Sequence, residues 1–114
     1  MKIQRGHLYT VDFNPRVHTK PGKIRPAVVV QSDLVSEGGY PSTIVVPTTS
    51  RVIDDAGFLR LRVDKGTCGL NKNSDLLVGQ LIAVANVSFR ENLGPLPSDL
   101  FEELLSRLRH LLDL

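Results

Sequence analysis

The chain has 114 residues, 41% apolar and 23% charged, which suits one globular domain with a single core and argues against a disordered chain. No apolar run nears the roughly 18 residues of a membrane span, and "MKIQRGHLY" has no apolar stretch behind its positive charge, so neither a membrane helix nor a signal peptide is expected. Cys68 is the only cysteine, which excludes an internal disulfide and any cysteine-based metal cluster; a cytoplasmic protein is the simplest expectation.

The net charge of +2 conceals a gradient. In residues 1–26 the basic side chains, among them Lys2, Arg5, Lys20, Lys23 and Arg25, face a single acid, Asp12. Residues 98–114 set Asp99, Glu102, Glu103 and Asp113 against Arg107 and Arg109. A basic front end suits a polyanionic partner, but lysines solvated in loops give the same pattern, so charge alone does not decide.

In chain order, "HLYTVDF" (7–13) reads as a first strand ended by the turn signal Asn14-Pro15. Residues 14–24 form a polar loop with two prolines and a glycine. "RPAVVVQS" (25–32) is a second strand whose continuous apolar run predicts cover on both faces. "SEGGYPS" (36–42) is a loop, and "TIVVPTTS" (43–50) a third strand; Pro47, lacking an N–H, belongs at an edge or a bulge near its end. "FLRLRV" (58–63) alternates as a half-exposed strand does. "TCGLNKNS" (67–74) is a turn region, and "DLLVGQLIAVANVSF" (75–89) supplies one or two more strands around Gly79. The last segment is an amphipathic helix, with Ser98 as N-cap, acids in its first turn, and an apolar face of Phe101, Leu104, Leu105, Leu108, Leu111 and Leu112. Short strands followed by one helix predict a mostly β domain spanning 1–114: a small, strongly bent sheet or barrel with the helix packed on it.

Metal chemistry finds little support. His7, His18 and His110 fall at a strand start, in a loop and on a polar helix face, and Asp54-Asp55 has no carboxylate partner at ligand spacing. Cys68 in "GTCGL" reads as a structural cysteine rather than a nucleophile, and neither a G-x-S-x-G elbow nor a phosphate-cradling loop occurs. What remains is Arg25 together with "PTTS" (47–50). If strands two and three pair antiparallel, the start of one lies beside the end of the other, and Arg25 meets Thr48, Thr49 and Ser50. A guanidinium fork suits phosphate oxygens, and hydroxyls beside it add further donors. A strand-capping arginine beside a strand end rich in Thr for β-propensity would look the same, so residue types leave both readings open.

The ordered pattern "RGHLYTVDFNP…GKIRPAVVVQSD…TIVVPTTS" resembles the MazF/PemK family of toxin endoribonucleases. Arg5-Gly6, Asp12, Pro15, Gly22, Arg25-Pro26, Asp33 and Thr49-Ser50 fall on the family pattern, and Gln80 in "LLVGQLIAV" matches the glutamine of its penultimate strand. The resemblance implies an SH3-like barrel of five to seven short strands with a C-terminal helix, and a homodimer. It also implies metal-independent, sequence-selective cleavage of single-stranded RNA, no cofactor, and a cognate antitoxin whose acidic disordered tail occupies the RNA groove. Arg25 and Thr49 become the catalytic pair, Thr49 being preferred to Thr48 because Ser50 follows it. Asn14, Lys20, Lys23, Thr48, Ser50 and Gln80 become RNA-binding candidates. Two readings from other classes share the fold: a toxin that poisons DNA gyrase by binding, and an RNA-binding barrel without catalysis.

The pattern departs from the family in two places. Lys20 stands where many members carry a glutamate, so no carboxylate base is available there, and His7 replaces the usual acid after Arg-Gly. Lys20 and Lys23 are expected instead to steer phosphates, and His18 in the same loop reads as a bystander rather than as a replacement for the missing base.

Overall fold

The valine run behind Arg25 is buried on both of its faces, as its continuous apolar character requires. Val28 joins one cluster of buried side chains, while Ala27 and Val29 join a second on the other side of the sheet. The structure, a computed structural model, describes residues 1–13 and 23–114. The turn signal Asn14-Pro15, and with it Asn14, His18, Lys20, Pro21 and Gly22, lies outside the described residues.

The elements are β1 (His7–Asp12), β2 (Ile24–Val29), α1 (Asp33–Glu37), β3 (Ser42–Thr49), β4 (Arg60–Val63), β5 (Ser74–Leu77), β6 (Ile82–Ala85), β7 (Phe89–Pro95) and α2 (Ser98–Leu112). All pairings are antiparallel, in the order β4-β5-β3-β2-β1-β7, with β6 also on β3. Among the described residues no pairing joins β4 to β7, so the expected mostly β fold takes the form of an open, strongly bent seven-stranded sheet. Helix α2 covers one face: Leu104 and Leu108 are buried against Leu8, Val28 and Val46, each such burial contributing about 2 kcal/mol. Tyr9, Val11, Val45, Val84 and Phe89 fill the other face, with Tyr9 edge-on to Phe89 at 5.3 Å between ring centroids.

Strand β3 organises the bend. It keeps β2 on one edge, but its other edge pairs with β6 through Ser42–Val45 and with β5 at Thr48 and Thr49. Pro47 lies between these two partners, within a central strand rather than at an edge or a bulge. The Val30 N–H donates to the Ile44 carbonyl at 3.1 Å, and pairs alternate along an antiparallel ladder. Ala27 and Pro47 are therefore a non-hydrogen-bonded pair, and the proline nitrogen faces the gap where β6 has stopped and β5 has not begun.

Several local expectations are corrected. Residues 33–37 form a short helix, held by the Ser32 side chain accepting from the Leu34 N–H at 3.2 Å. Buried Gln31 ties this helix to β3, its amide donating to Ser36 Oγ and the Ser42 carbonyl and accepting from the Ile44 N–H. Besides β5 and β6, which flank Gly79, a further strand runs from Phe89 to Pro95, longer than the apolar pattern showed. Ser98 is the first helical residue rather than the N-cap, which is Pro97: its carbonyl accepts the first helical bond from the Phe101 N–H at 3.0 Å.

The Arg5-Gly6 pair is structural. Gly6 has φ +82°, its N–H donates to the Val29 carbonyl, and its carbonyl accepts from the Leu96 N–H, so one left-handed residue links β2 to the entry of α2. Arg5 caps this link: its amide donates to Asp33 Oδ1 at 2.8 Å, its guanidinium donates to the Val30 carbonyl, and it lies 5.3 Å from the Phe101 ring centroid.

Candidate active site

Arg25 and Thr49 meet at the end of the sheet because of strand register. The β2–β3 ladder ends at Ala27 opposite Pro47, and Arg25 and Thr49 each lie two residues beyond that pair on their strands. Opposed residues project to one face, so the guanidinium and the hydroxyl line one cleft of about 470 Å³, together with Lys23, Ser50, Arg51, Asn71 and Lys72. Pro26 fixes φ immediately behind Arg25 and pairs with Thr10, so the arginine projects from a strand that cannot swivel.

The two threonines have different tasks. Thr48 is buried and its hydroxyl donates to the Pro26 carbonyl at 2.8 Å, joining β3 to β2 from the opposite face. Thr49 is half-buried, and its Oγ1 accepts from the Arg51 N–H at 3.2 Å. The hydroxyl proton of Thr49 is thereby left to donate into the cleft.

Arg25 and Lys23 also line a second cleft, with Phe13, Pro47, Leu77, Gln80, Leu81 and Ile82. Arg25 thus stands between two compartments of different chemistry. One is polar and cationic; the other is apolar, with the exposed Gln80 amide at its wall. Gln80 reaches this position from the 3-10 turn Val78–Gln80 that separates β5 from β6. Among the described residues, neither lining contains a His, Asp or Glu. Their charge is positive throughout, which suits a phosphate backbone.

One strand beyond Thr49, Asp75 of β5 pairs in register with both Thr49 and Arg62. Its carboxylate is almost completely buried and fully used: Oδ2 accepts from the Ile53 N–H at 2.9 Å and from Arg60 Nη1 at 3.0 Å, and Oδ1 accepts from Arg62 Nε at 2.7 Å. Burial opposes its ionisation, but hydrogen bonds from Arg62, the Ile53 amide and Arg60 outweigh that penalty and hold its pKa below the ordinary aspartate value. Arg62, bonded to Asp75 and Asp54, is correspondingly harder to deprotonate.

Arg25, Thr48, Thr49, Ser50 and Lys23 come together around one cleft, as expected, and Gln80 joins them through the second; Asn14 and Lys20 lie outside the described residues. Thr48 lines the same cleft, but its hydroxyl proton is committed to the Pro26 carbonyl. His7 sits at the far end of β1 from Val11, the partner of Arg25, and pairs with Asn92 Oδ1 at 3.2 Å. His110 faces the Ser106 carbonyl on α2. Cys68 packs against the core and donates to the Pro95 carbonyl at 3.3 Å, and burial raises its pKa, which is the reverse of an activated thiol. Sequence reading missed Arg51, Asn71, Lys72 and Asp75. Their only local signal is a cationic or amide residue in a turn, or an acid at a strand start, and such residues are common on any surface.

The chain is 27% identical to endoribonuclease MazF6 of Mycobacterium tuberculosis over 114 residues, covering the whole of both proteins. It is similar in fold to MazF from Deinococcus radiodurans (TM-score 0.78, 23% identity, 100% of this chain and 99% of that one). It is also similar to the MazE–MazF structure from that organism (TM-score 0.81, 23% identity, 100% and 98%). Residues 4–112 match the family described as PemK-like, MazF-like toxin of type II toxin–antitoxin systems, and the chain belongs to that family.

Proposed function

We propose that this chain is the toxin of a type II toxin–antitoxin pair and a sequence-selective endoribonuclease that cuts single-stranded RNA in the cytoplasm. The observation that carries the reading is that Arg25 and Thr49 line one cationic cleft, with the competing hydroxyl of Thr48 diverted to the backbone. Family membership and the endoribonuclease names of its relatives support it.

The chemistry follows from the donors. A ribose 2′-oxygen forms a bond to the adjacent phosphorus as the P–O5′ bond breaks. The 2′ proton is lost and O5′ is protonated. Negative charge builds on the non-bridging oxygens in between. Arg25 supplies two parallel N–H donors to those oxygens and Thr49 supplies an O–H, all placed before the reaction starts. A guanidinium with a pKa above about 12 makes a poor base, so Arg25 acts as an electrostatic clamp. With Lys23, Arg25, Arg51 and Lys72 in the lining, and no carboxylate there among the described residues, the protein itself supplies positive charge for the phosphate. The strand runs over Arg25, with one base toward Gln80 and the backbone continuing past Ser50 and Lys72.

Partners follow the same chemistry. An acidic antitoxin tail competes with RNA for the cationic cleft. A second copy of the chain covers the groove lined by Ile44, Leu81, Leu105 and Leu112, where Leu112 at 49% exposure and Leu114 at 88% leave apolar surface in water. The test of the function is incubation of purified protein with a mixed single-stranded RNA in EDTA. Discrete fragments with a common base context are expected; intact RNA would overturn the reading.

A further inference from the structure

We propose that Asp75 is a positioning residue for the cleavage reaction, acting through the loop after β3 on the hydroxyl of Thr49; the inference rests on the endoribonuclease reading above. A carboxylate with its side chain 2% exposed is an unusual neighbour for a phosphate-binding cleft, because an uncompensated anion one strand away would repel the substrate. Its bonds show what it holds. Oδ2 receives both the Ile53 N–H and Arg60 Nη1, and the same Arg60 nitrogen donates to the Arg51 carbonyl at 2.8 Å. Asp75 and Arg60 therefore fasten residues 51–53 at two points. Between those points and the strand is the Arg51 N–H, which donates to Thr49 Oγ1.

That bond decides where the threonine proton goes. A free hydroxyl rotates and both donates and accepts; one whose oxygen already accepts from a fixed N–H is left as a donor, aimed away from that N–H. With residues 51–53 pinned, Thr49 keeps its donor direction toward the phosphate held by Arg25. With the pin removed, the hydroxyl must be ordered during the reaction, which slows the chemical step. Arg62, bonded to Asp75 Oδ1 and to Asp54, neutralises the carboxylate from its other side and confines its influence to the loop.

The experiment compares single-turnover cleavage at saturating RNA for wild type, Asp75→Asn, Thr49→Ala and the double variant. Binding is measured separately on the same RNA carrying a 2′-deoxy nucleotide at the mapped cut. Asp75→Asn should slow cleavage by about tenfold or more without weakening RNA binding, and should add less than about twofold on top of Thr49→Ala. A merely structural role predicts that the two losses multiply in full; a merely repulsive carboxylate predicts that Asp75→Asn speeds cleavage. Either result overturns the inference. Arg60→Gln, at a less buried position, removes the bond to the Arg51 carbonyl and must show the same non-additivity, so the test stands even where Asp75→Asn fails to fold. A wild-type chain that cuts no RNA overturns the endoribonuclease reading itself, an outcome distinct from full multiplication in an active enzyme.

Discussion

The chemistry proposed for Arg25 and Thr49 depends on donor geometry as much as on charge. Arg25→Ala is expected to lower single-turnover RNA cleavage by about a hundredfold or more while leaving the fold intact, since the side chain projects from the end of β2 into open cleft. Arg25→Lys should be impaired almost as badly, because a point charge cannot replace two parallel donors; cleavage at the wild-type rate in the lysine variant would remove the clamp. The two threonines should separate cleanly. Thr49→Ala is expected to slow cleavage about a hundredfold with little change in melting temperature. Thr48→Ala should instead cost about 1 kcal/mol of stability, by leaving the Pro26 carbonyl without its donor, and should change the rate little. Thermal melts and single-turnover rates on both variants check this, and the reverse pattern would show that the wrong hydroxyl faces the phosphate.

Between elements, the pair β4 and β5 carries the main electrostatic commitment of the fold. The pKa of Asp75 is lowered in the folded chain, so between its folded and unfolded values the unfolded state binds more protons. Its contribution to stability is therefore fully present above the ordinary aspartate value of 3.8 and is lost as pH falls through the lower folded value. Denaturant unfolding from about pH 6 down to about pH 2.5 should show Asp75→Asn less stable than wild type at the upper end, with the difference narrowing toward the acid end. A difference that stays constant with pH would mean the carboxylate has the same pKa folded and unfolded, so that its hydrogen bonds do not favour the ionised form. Legibility also varied between elements. The alternation of "RLRV" and the 3.6-residue period of α2 were readable because each depends on one face meeting one core. Helix α1 was not, since no residue of it is buried and its hold on the fold comes from Ser32 and Gln31.

Over the whole molecule, the cationic clefts and the apolar groove set the partners. Light scattering at micromolar concentration should give a dimer; a clean monomer there would remove the second copy from the α2 groove. RNA binding should weaken with salt, and removing one cation that pairs with a single-strand phosphate should flatten the log–log slope by about 0.7. Lys72→Ala is expected to show that change while the saturated single-turnover rate stays near wild type, because Lys72 is one of several cations in the lining while the proposed donors to the reacting phosphate are Arg25 and Thr49. A rate collapse with the slope unchanged would place Lys72 in the chemistry.

From its sequence alone this chain declares a mostly β domain with a C-terminal helix, a second strand covered on both faces, and the meeting of Arg25 with the strand end Thr48–Ser50, because each of these depends on local period or on the order of hairpin neighbours. The tertiary structure alone decided three things. It showed why Pro47 is tolerated in a central strand, since the gap between β6 and β5 exists only once both strands have docked. It separated Thr48 from Thr49 by giving one a buried carbonyl and the other an amide from its own loop. It also brought Asp75, 26 positions beyond Thr49 in sequence, to the strand beside it. A carboxylate that reads as an ordinary strand-start aspartate becomes the anchor of the loop after β3 only when two arginines and a loop amide converge on it, and convergence of groups far apart in sequence leaves no trace in local pattern.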